Sequence, residues 1–404
     1  MKDKASPKTK ICVECGEINA THGVTYVDVL IKIIFGKVFS NLLFLEPTVF
    51  KMNSLIMSFE PHIFSALVRT GVAKKQTEPD HETQLLAQML WAEAKARGIV
   101  VWELRLFRLA RNFFLAEFKN GKRITFEGIP LPVKKSTGAW WIDDKAILKK
   151  EFQSRGLTVA KGGSVSSKKS ALELFRKLDV PVIVKPRKGS GSRHTTLHIT
   201  DEAELLRAFA VAKQVSPSVI IEEEIEGSVY RATVVDGKLV ATLRRDPPCV
   251  VGDGTSTILE LVRRANEHPA RSGPYFSKIK LDDSATTELK WQGHVPKDIL
   301  PKGRRVTFHQ KVNWSVGGTT ADVTEEVHAD NIALFERTAE VLNAPIVGID
   351  FIIADISRSW KDQERCGIIE CNSMPFFDNH HLPFEGKPRN VAGAIWDMIE
   401  TSQK

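Results

Sequence analysis

The chain has 404 residues, 42% of them hydrophobic and 26% charged, with a formal net charge of +8 and five cysteines. That length supports two or three domains with sizeable cores, and the balance is ordinary for a soluble globular protein. Five cysteines in so long a chain exclude a disulfide framework, and the start MKDKASPKTK lacks the apolar segment of a secretory signal. Lys32, Lys37 and Glu46 interrupt the most apolar region, so no membrane span is expected, and a cytoplasmic location is. The positive charge suits anionic partners, although a solvated surface with surplus lysine is the preferred account of the charge alone, and no nucleic-acid-binding motif accompanies it.

Residues 1–75 read as a largely helical N-terminal extension. Val27, Leu30, Ile31, Ile34 and Val38 follow a helical spacing, as of a helix packed on the main body or on a second subunit; an amphipathic membrane-surface segment is the alternative. Cys12 and Cys15 form a lone CxxC with only His22 nearby, too few ligands for structural zinc. Residues 76–140 read as a small α/β domain. It has a helix over 80–97, the buried strand GIVVWEL, and a hairpin over 113–126 turning at Asn120-Gly121.

From residue 141 the pattern is that of two further subdomains, 141–224 and 225–404. DDKAILKKEFQSRG is a helix stopped by glycine, Ser167 caps a helix reaching Leu178, and PVIVKP is a strand. Thr200, followed by Asp201 and Glu202, opens a third helix, and SVIIEEEIEG is a strand with a connector. Val229 to Arg244 is a hairpin turning at Asp236-Gly237, and Thr324 to Asn343 is a long amphipathic helix. The expected class is α+β with mostly antiparallel sheets.

The chemistry concentrates near the end. Asp350 lies inside the apolar run GIDFIIAD, and Glu370 and Asn372 close the run GIIECN. Two residues apart on a strand, Glu370 and Asn372 share a face. If the two strands pair, two carboxylates and an amide oxygen converge, a donor set for a hard cation such as Mg²⁺, with Mn²⁺ the alternative. Without a cation, buried like charges in this cluster would be costly. Upstream, VKPRKGSGSRHTT places Lys185 at the end of a strand and before Gly189, Ser190, Gly191 and Ser192. Such a loop turns backbone N–H groups towards phosphate, or is simply a solvated turn. Lys145 reads as a lone helical lysine. The connector Glu222, Glu223, Glu224 and Ile225 reads either as a support for a flat heterocycle or as an acidic corner facing solvent.

In set and order these features resemble the ATP-grasp superfamily over about residues 80–404. The resemblance is nearest to the ATP-grasp parts of cyanophycin synthetases and of bifunctional glutamate–cysteine ligase/glutathione synthetases. It is carried by VVGDGTSTILELV, NWSVGGTTADVTEEVHADN and HLPFEGKPRNVAGAIWDMI. It implies two α+β subdomains gripping ATP. Lys145 and Lys185 would lie on the phosphates, the 187–196 loop over the nucleotide, residues 222–225 at adenine, and Asp350, Glu370 and Asn372 on Mg²⁺. The implied activity is joining a carboxylate to an amine on amino-acid or peptide substrates through an acyl phosphate. A phosphotransferase and a catalytically weakened nucleotide-binding subunit are the alternatives, and a homodimer is left open.

For that reaction, Arg231 and Arg305 are candidate anion clamps and Gly317 and Gly318 candidate amide donors to an oxyanion. His380, Lys387 and Arg389 are candidate substrate contacts. The chain departs from the resemblance at Val229, where an acidic ribose partner is expected, and at His194, where a loop glycine is expected. It also has no GK[ST] loop of the kind a Mur-like ligase domain would bring.

Overall fold

The computed structural model describes residues 22–31, 66–106, 112–132, 141–189, 193–273, 275–310, 312 and 314–403. These fall into two compact units, one over 22–31 and 143–225, the other over 66–142 and 226–403. Among the described residues no helix is long and apolar enough to cross a membrane.

The second unit begins with an antiparallel sheet in the order β1 (Ala73–Gln76), β2 (Val100–Leu106), β3 (Phe113–Glu117), β4 (Arg123–Glu127). A short turn joins β3 to β4, while the helix Leu85–Arg97 lies between β1 and β2. Gly121 adopts φ 79° in the β3–β4 turn, as the Asn-Gly pair predicts. The helix Leu85–Arg97 covers this sheet and buries Leu86, Leu90, Trp91 and Ala94. It begins at Leu85, later than expected, because residues 80–83 form a turn in which the Asp80 amide bonds Thr83 Oγ1 at 3.0 Å. Its other neighbour is the C-terminal helix Val391–Ser402, whose Trp396 Nε1 donates to the Leu90 carbonyl at 2.9 Å. One core therefore runs from residues 86–129 to residues 391–399.

The first unit carries the antiparallel sheet β5 (Gly162–Val165), β6 (Val182–Pro186), β7 (Thr196–Ile199), β8 (Val219–Glu223), in spatial order β5-β8-β6-β7. Central β8 is buried along its whole length. The helices Lys168–Phe175 and Glu202–Lys213 pack on it through Ala171, Phe175, Leu205, Ala208 and Phe209. Ser167 caps the first of these in a reciprocal capping box with Ser170, and Asp201, rather than Thr200, caps the second. Residues 22–31 are helical, but Val29 is the buried side chain, while Val27 and Ile31 are exposed. Cys12, Cys15, Ile34 and Val38 lie outside the described residues.

The second unit continues with the strands β9 (Ser228–Val235), β10 (Lys238–Asp246), β11 (Cys249–Val251), β12 (Arg305–Thr307), β13 (Thr319–Asp322), β14 (Ile346–Ile353) and β15 (Gly367–Asn372). Five of them form the sheet β13-β10-β9-β14-β15, antiparallel throughout. The β9–β10 turn holds Asp236 at φ 49° and Gly237 at φ 77°, the positive pair a two-residue hairpin requires. Strands β11 and β12 form a separate ribbon, with its own core of Val250, Ile258, Leu289, Leu300 and Phe308. The helix expected over 324–343 spans Ala329–Leu342, after a single 3₁₀ turn at Thr324–Glu326. The His328 side chain accepts from the Asp330 amide and sets its start, and Asn343 in a left-handed cap ends it.

Candidate functional site

In the first unit the helix Lys145–Ser154 and strands β6 and β8 bring basic groups together around one buried acid. Asp144 caps the helix by accepting from the amides of Ala146 and Ile147, so Lys145 sits in the first helical turn. Lys145 Nζ donates to the Gly189 carbonyl at 2.6 Å. Arg187 Nε reaches Asp144 Oδ1 at 2.8 Å. Ser190, Gly191 and Ser192 lie outside the described residues.

Glu222 is buried and accepts from Lys185 on one oxygen and from Lys149 Nζ, at 2.6 Å, on the other. Lys149 also donates to the Ala160 carbonyl at 2.6 Å. Burial opposes the charge on Glu222, but the two lysines outweigh it and hold the carboxyl well below its usual range. For Lys149 burial dominates and depresses the amine despite Glu222. The sequence reading missed Lys149, although its place one helical turn after Lys145 was a usable signal.

The connector acids turn inward instead of forming a solvated corner. Glu223 accepts from the Asp179 amide at 3.2 Å, and Glu224 from the His198 amide at 2.9 Å. The amides of Glu223 and Glu224 are themselves bonded to the carbonyls of Lys161 and Pro181. Ile225 is the last residue of this unit. His194 is fully buried at φ 54°, with Nδ1 2.9 Å from the Val211 carbonyl. At this φ the histidine occupies backbone space that glycine favours.

In the second unit the register puts Arg231, Asp350 and Glu370 directly opposite one another on β9, β14 and β15. The next row on that face is Thr233, Gly348 and Asn372. Asp350 is buried and gripped by Arg231 through two bonds, Nε to Oδ1 at 2.5 Å and Nη2 to Oδ2 at 2.9 Å. Arg245 Nη1 lies 3.6 Å from Oδ2. A Cβ on Gly348 would come within 3.1 Å of Arg231 Nη1 and 2.8 Å of Pro375, so glycine leaves the room the guanidinium uses.

Arg231 and Arg245 both face Asp350, so that carboxylate has positive neighbours the sequence did not reveal. Burial opposes the charge on Arg231, but Asp350 more than compensates and raises its pKa, whereas burial prevails at Arg245 and lowers it.

The other candidates are placed as follows. Arg305 Nη2 binds Asp246 Oδ1 at 3.0 Å, beside Arg244 Nε on Oδ2 at 2.9 Å. The Gly317 amide donates to the Trp314 carbonyl at 3.1 Å and is engaged in that turn, while Gly318 is the buried residue leading into β13. Arg389 bonds Asp322 at 2.6 Å, and Lys387 pairs with Glu325 at 3.0 Å on the surface.

His380, expected to contact substrate, has no exposed surface, and its Nε2 lies 2.7 Å from Thr233 Oγ1, on the face that also carries Asn372. Burial, reinforced by Arg231, depresses the imidazole to about 3. The unfolded chain thus binds one more proton than the folded one between about pH 6.5 and 3. Stability should fall with acidification through that window, and His380→Gln should flatten the slope of unfolding free energy against pH there by up to one proton.

No protein-family model matches the chain. It is similar to the cyanophycin synthetase of Trichormus variabilis, 35% identical over 314 residues, which are 76% of this chain and 34% of that protein. It is also similar to the glutathione biosynthesis bifunctional protein of Listeria innocua, 30% identical over 328 residues, 79% of this chain and 41% of that protein. The chain thus spans well under half the length of these relatives. Its fold is similar to the crystal structure of a bifunctional glutathione synthetase from Pasteurella multocida, with TM-score 0.58 and 24% identity over 79% of this chain and 43% of that one.

Proposed function

The chain belongs to the ATP-grasp superfamily, and from that premise we propose that it is an ATP-dependent ligase joining a carboxylate to an amine on amino-acid or peptide substrates. The observation that carries this reading is the facing row Arg231–Asp350–Glu370 with Asn372 beside it. Two carboxylates and an amide suit a Mg²⁺ ion that draws its remaining oxygens from phosphate and water. Asp350 fits although Arg231 grips it, because each carboxylate oxygen keeps a second lone pair. Asn372 has a buried Nδ2 without a partner, a donor that a phosphate or water oxygen bound at the site would satisfy. Asp350, Glu370 and Asn372 would hold the ion, which when bound supplies charge neutralisation to the phosphates.

Lys145 and Lys185 are assigned to the phosphates of ATP, and the segment 187–196 to closing over them. Lys185 leaves Glu222 to do so, and Lys149 keeps that acid neutralised in its absence. Arg245 on β10 and Arg305 on β12 are assigned to anionic groups of substrate or intermediate. Arg231 holds the Asp350 carboxylate in orientation. The acid's carboxylate attacks the γ-phosphate to give an acyl phosphate and ADP, and the amine then displaces phosphate to form the amide. Gly318 remains a candidate amide donor to the oxyanion of the second step.

The test is phosphate release from ATP screened across amino acids and short peptides, with mass spectrometry of the products. A ligase turns over only when both acid and amine are supplied and yields a product lighter than their sum by one water. Turnover with a hydroxyl substrate alone, yielding a phosphate ester, would instead identify a phosphotransferase.

A further inference from the structure

The helix over 22–31 and the side chain of His194 are two features of the first unit to which the ligase reading gives no role. The helix lies outside the stretch that resembles ATP-grasp chains, and His194 stands where that resemblance expects glycine. Both belong to the same compact unit, and they touch. The rings of His22 and His194 lie 4.8 Å apart, edge to face at 83°.

The helix is seated on one face. His22, Thr25, Tyr26, Val29 and Leu30 are wholly or partly covered, and the residues between them are exposed. Positions i, i+3, i+4, i+7 and i+8 make a single helical face, and His22 opens it. His194 is held from two sides. Its φ of 54° is a conformation that a Cβ disfavours and glycine does not. Its ring is fully buried, with Nδ1 2.9 Å from the Val211 carbonyl. A carbonyl only accepts, so the Nδ1 proton lies in that bond, and the His22 ring packs on the same imidazole. Two residues further on, Thr196 opens β7 and pairs with Val184 of β6. The other arm of the same segment is also held, by Lys145 on the Gly189 carbonyl and by Arg187 on Asp144. Gly189 and His194 are therefore fixed points on either side of the segment assigned to the phosphates.

We propose that His22 is a positioning residue of the nucleotide site: by packing on His194 it fixes the arm 193–196, so that the N-terminal helix raises the affinity for the triphosphate without touching it. The proposal rests on the assignment of segment 187–196 to the phosphates and adds what holds that segment in place. An arm with glycine at 194 and no ring above it must be ordered anew at each binding event, and that lost entropy is subtracted from the affinity. The His22–His194 pair shifts the ordering to the folding step. It also accounts for a histidine in a glycine-like conformation, because the ring gains two contacts that a glycine cannot make.

The test is calorimetric titration of the full chain with Mg²⁺ and the non-hydrolysable ATP analogue adenylyl imidodiphosphate, with thermal unfolding of each variant alongside. His22→Ala should weaken binding of the analogue about two- to tenfold, the range an aromatic pair of this geometry supports. His22→Phe keeps a ring and should bind within about twofold of the wild type. In a His194→Gly background, His22→Ala should change the affinity no further, because its route to the arm is already gone. The positioning role is overturned if His22→Ala binds the analogue like the wild type, whether or not its unfolding midpoint falls. It is overturned equally if His22→Ala weakens binding as much in the His194→Gly background as in the wild type. A wild type that binds no analogue overturns the nucleotide assignment and the proposal with it, whereas normal binding in His22→Ala overturns the proposal alone. Should His22→Ala fail to fold, His22→Gln, which removes the ring and keeps a polar side chain, takes its place in the same cycle.

Discussion

Glu370→Gln should abolish ATP turnover while leaving the unfolding midpoint close to that of the wild type, whereas Asp350→Asn should abolish turnover and lower the midpoint by several degrees. The contrast follows from burial and partners. Asp350 is the buried counter-charge of Arg231 and lies 3.6 Å from Arg245. Removing its charge strands two guanidinium groups in low dielectric, a loss of about 3–5 kcal/mol by comparison with other broken buried pairs. Glu370 is only partly buried, and its loss still leaves Asp350 to neutralise Arg231. Phosphate release and thermal unfolding on the two variants read the two roles separately. Wild-type turnover in Glu370→Gln would remove the cation assignment. An unchanged midpoint in Asp350→Asn would show that water reaches and screens the arginines.

The second large effect is expected in the other unit. Lys149→Met should destabilise the protein by about 3 kcal/mol or more, because it leaves the buried Glu222 with a single cationic partner and deletes the bond to the Ala160 carbonyl. The same variant should raise the KM for ATP, since Lys185 becomes the sole counter-ion of Glu222 and is held more firmly away from the nucleotide. Adding Glu222→Leu should restore part of the lost stability, because it removes the buried under-compensated carboxylate, the remainder being withheld by Lys185, which loses its own partner. It should also lower the KM again by freeing Lys185. Urea unfolding and ATP kinetics on the single and double variants check both halves. If the double variant is no more stable than Lys149→Met, the loss comes from packing around the Lys149 stem and not from the charge.

Local chemistry was readable from the residues wherever it acts over a few positions. The turns at Asn120-Gly121 and Asp236-Gly237 need positive φ, and those residue pairs supply it. The cap at Ser167 and the glycine stop after Arg155 are likewise set by neighbours in sequence. The alternation of β15 puts Glu370 and Asn372 on one face whatever the strand pairs with. Spacing failed where an apolar stripe had two ways to turn, as in residues 22–31, where Val29 became the buried position. It failed again at 324–328, where a 3₁₀ turn and the His328 cap delay the helix.

By itself, then, the sequence determined the α+β class, the hairpin turns, the family and the placing of Asp350, Glu370 and Asn372 within two apolar strand-like runs. Each of these depends on short-range patterns or long motifs. Only the tertiary structure decided what neutralises those donors. Arg231 is 119 positions from Asp350 and meets it because β9 and β14 pair in one register. Lys149 is 73 positions from Glu222 and meets it because the helix Lys145–Ser154 lies over the end of β8. His380 follows the same logic, since a histidine in a polar-looking segment became fully buried against Thr233 on a distant strand. A charge in a sequence has no environment until strands and helices from elsewhere remove its water, and that desolvation separates a surface ion pair from the buried pairs on which both sites rest.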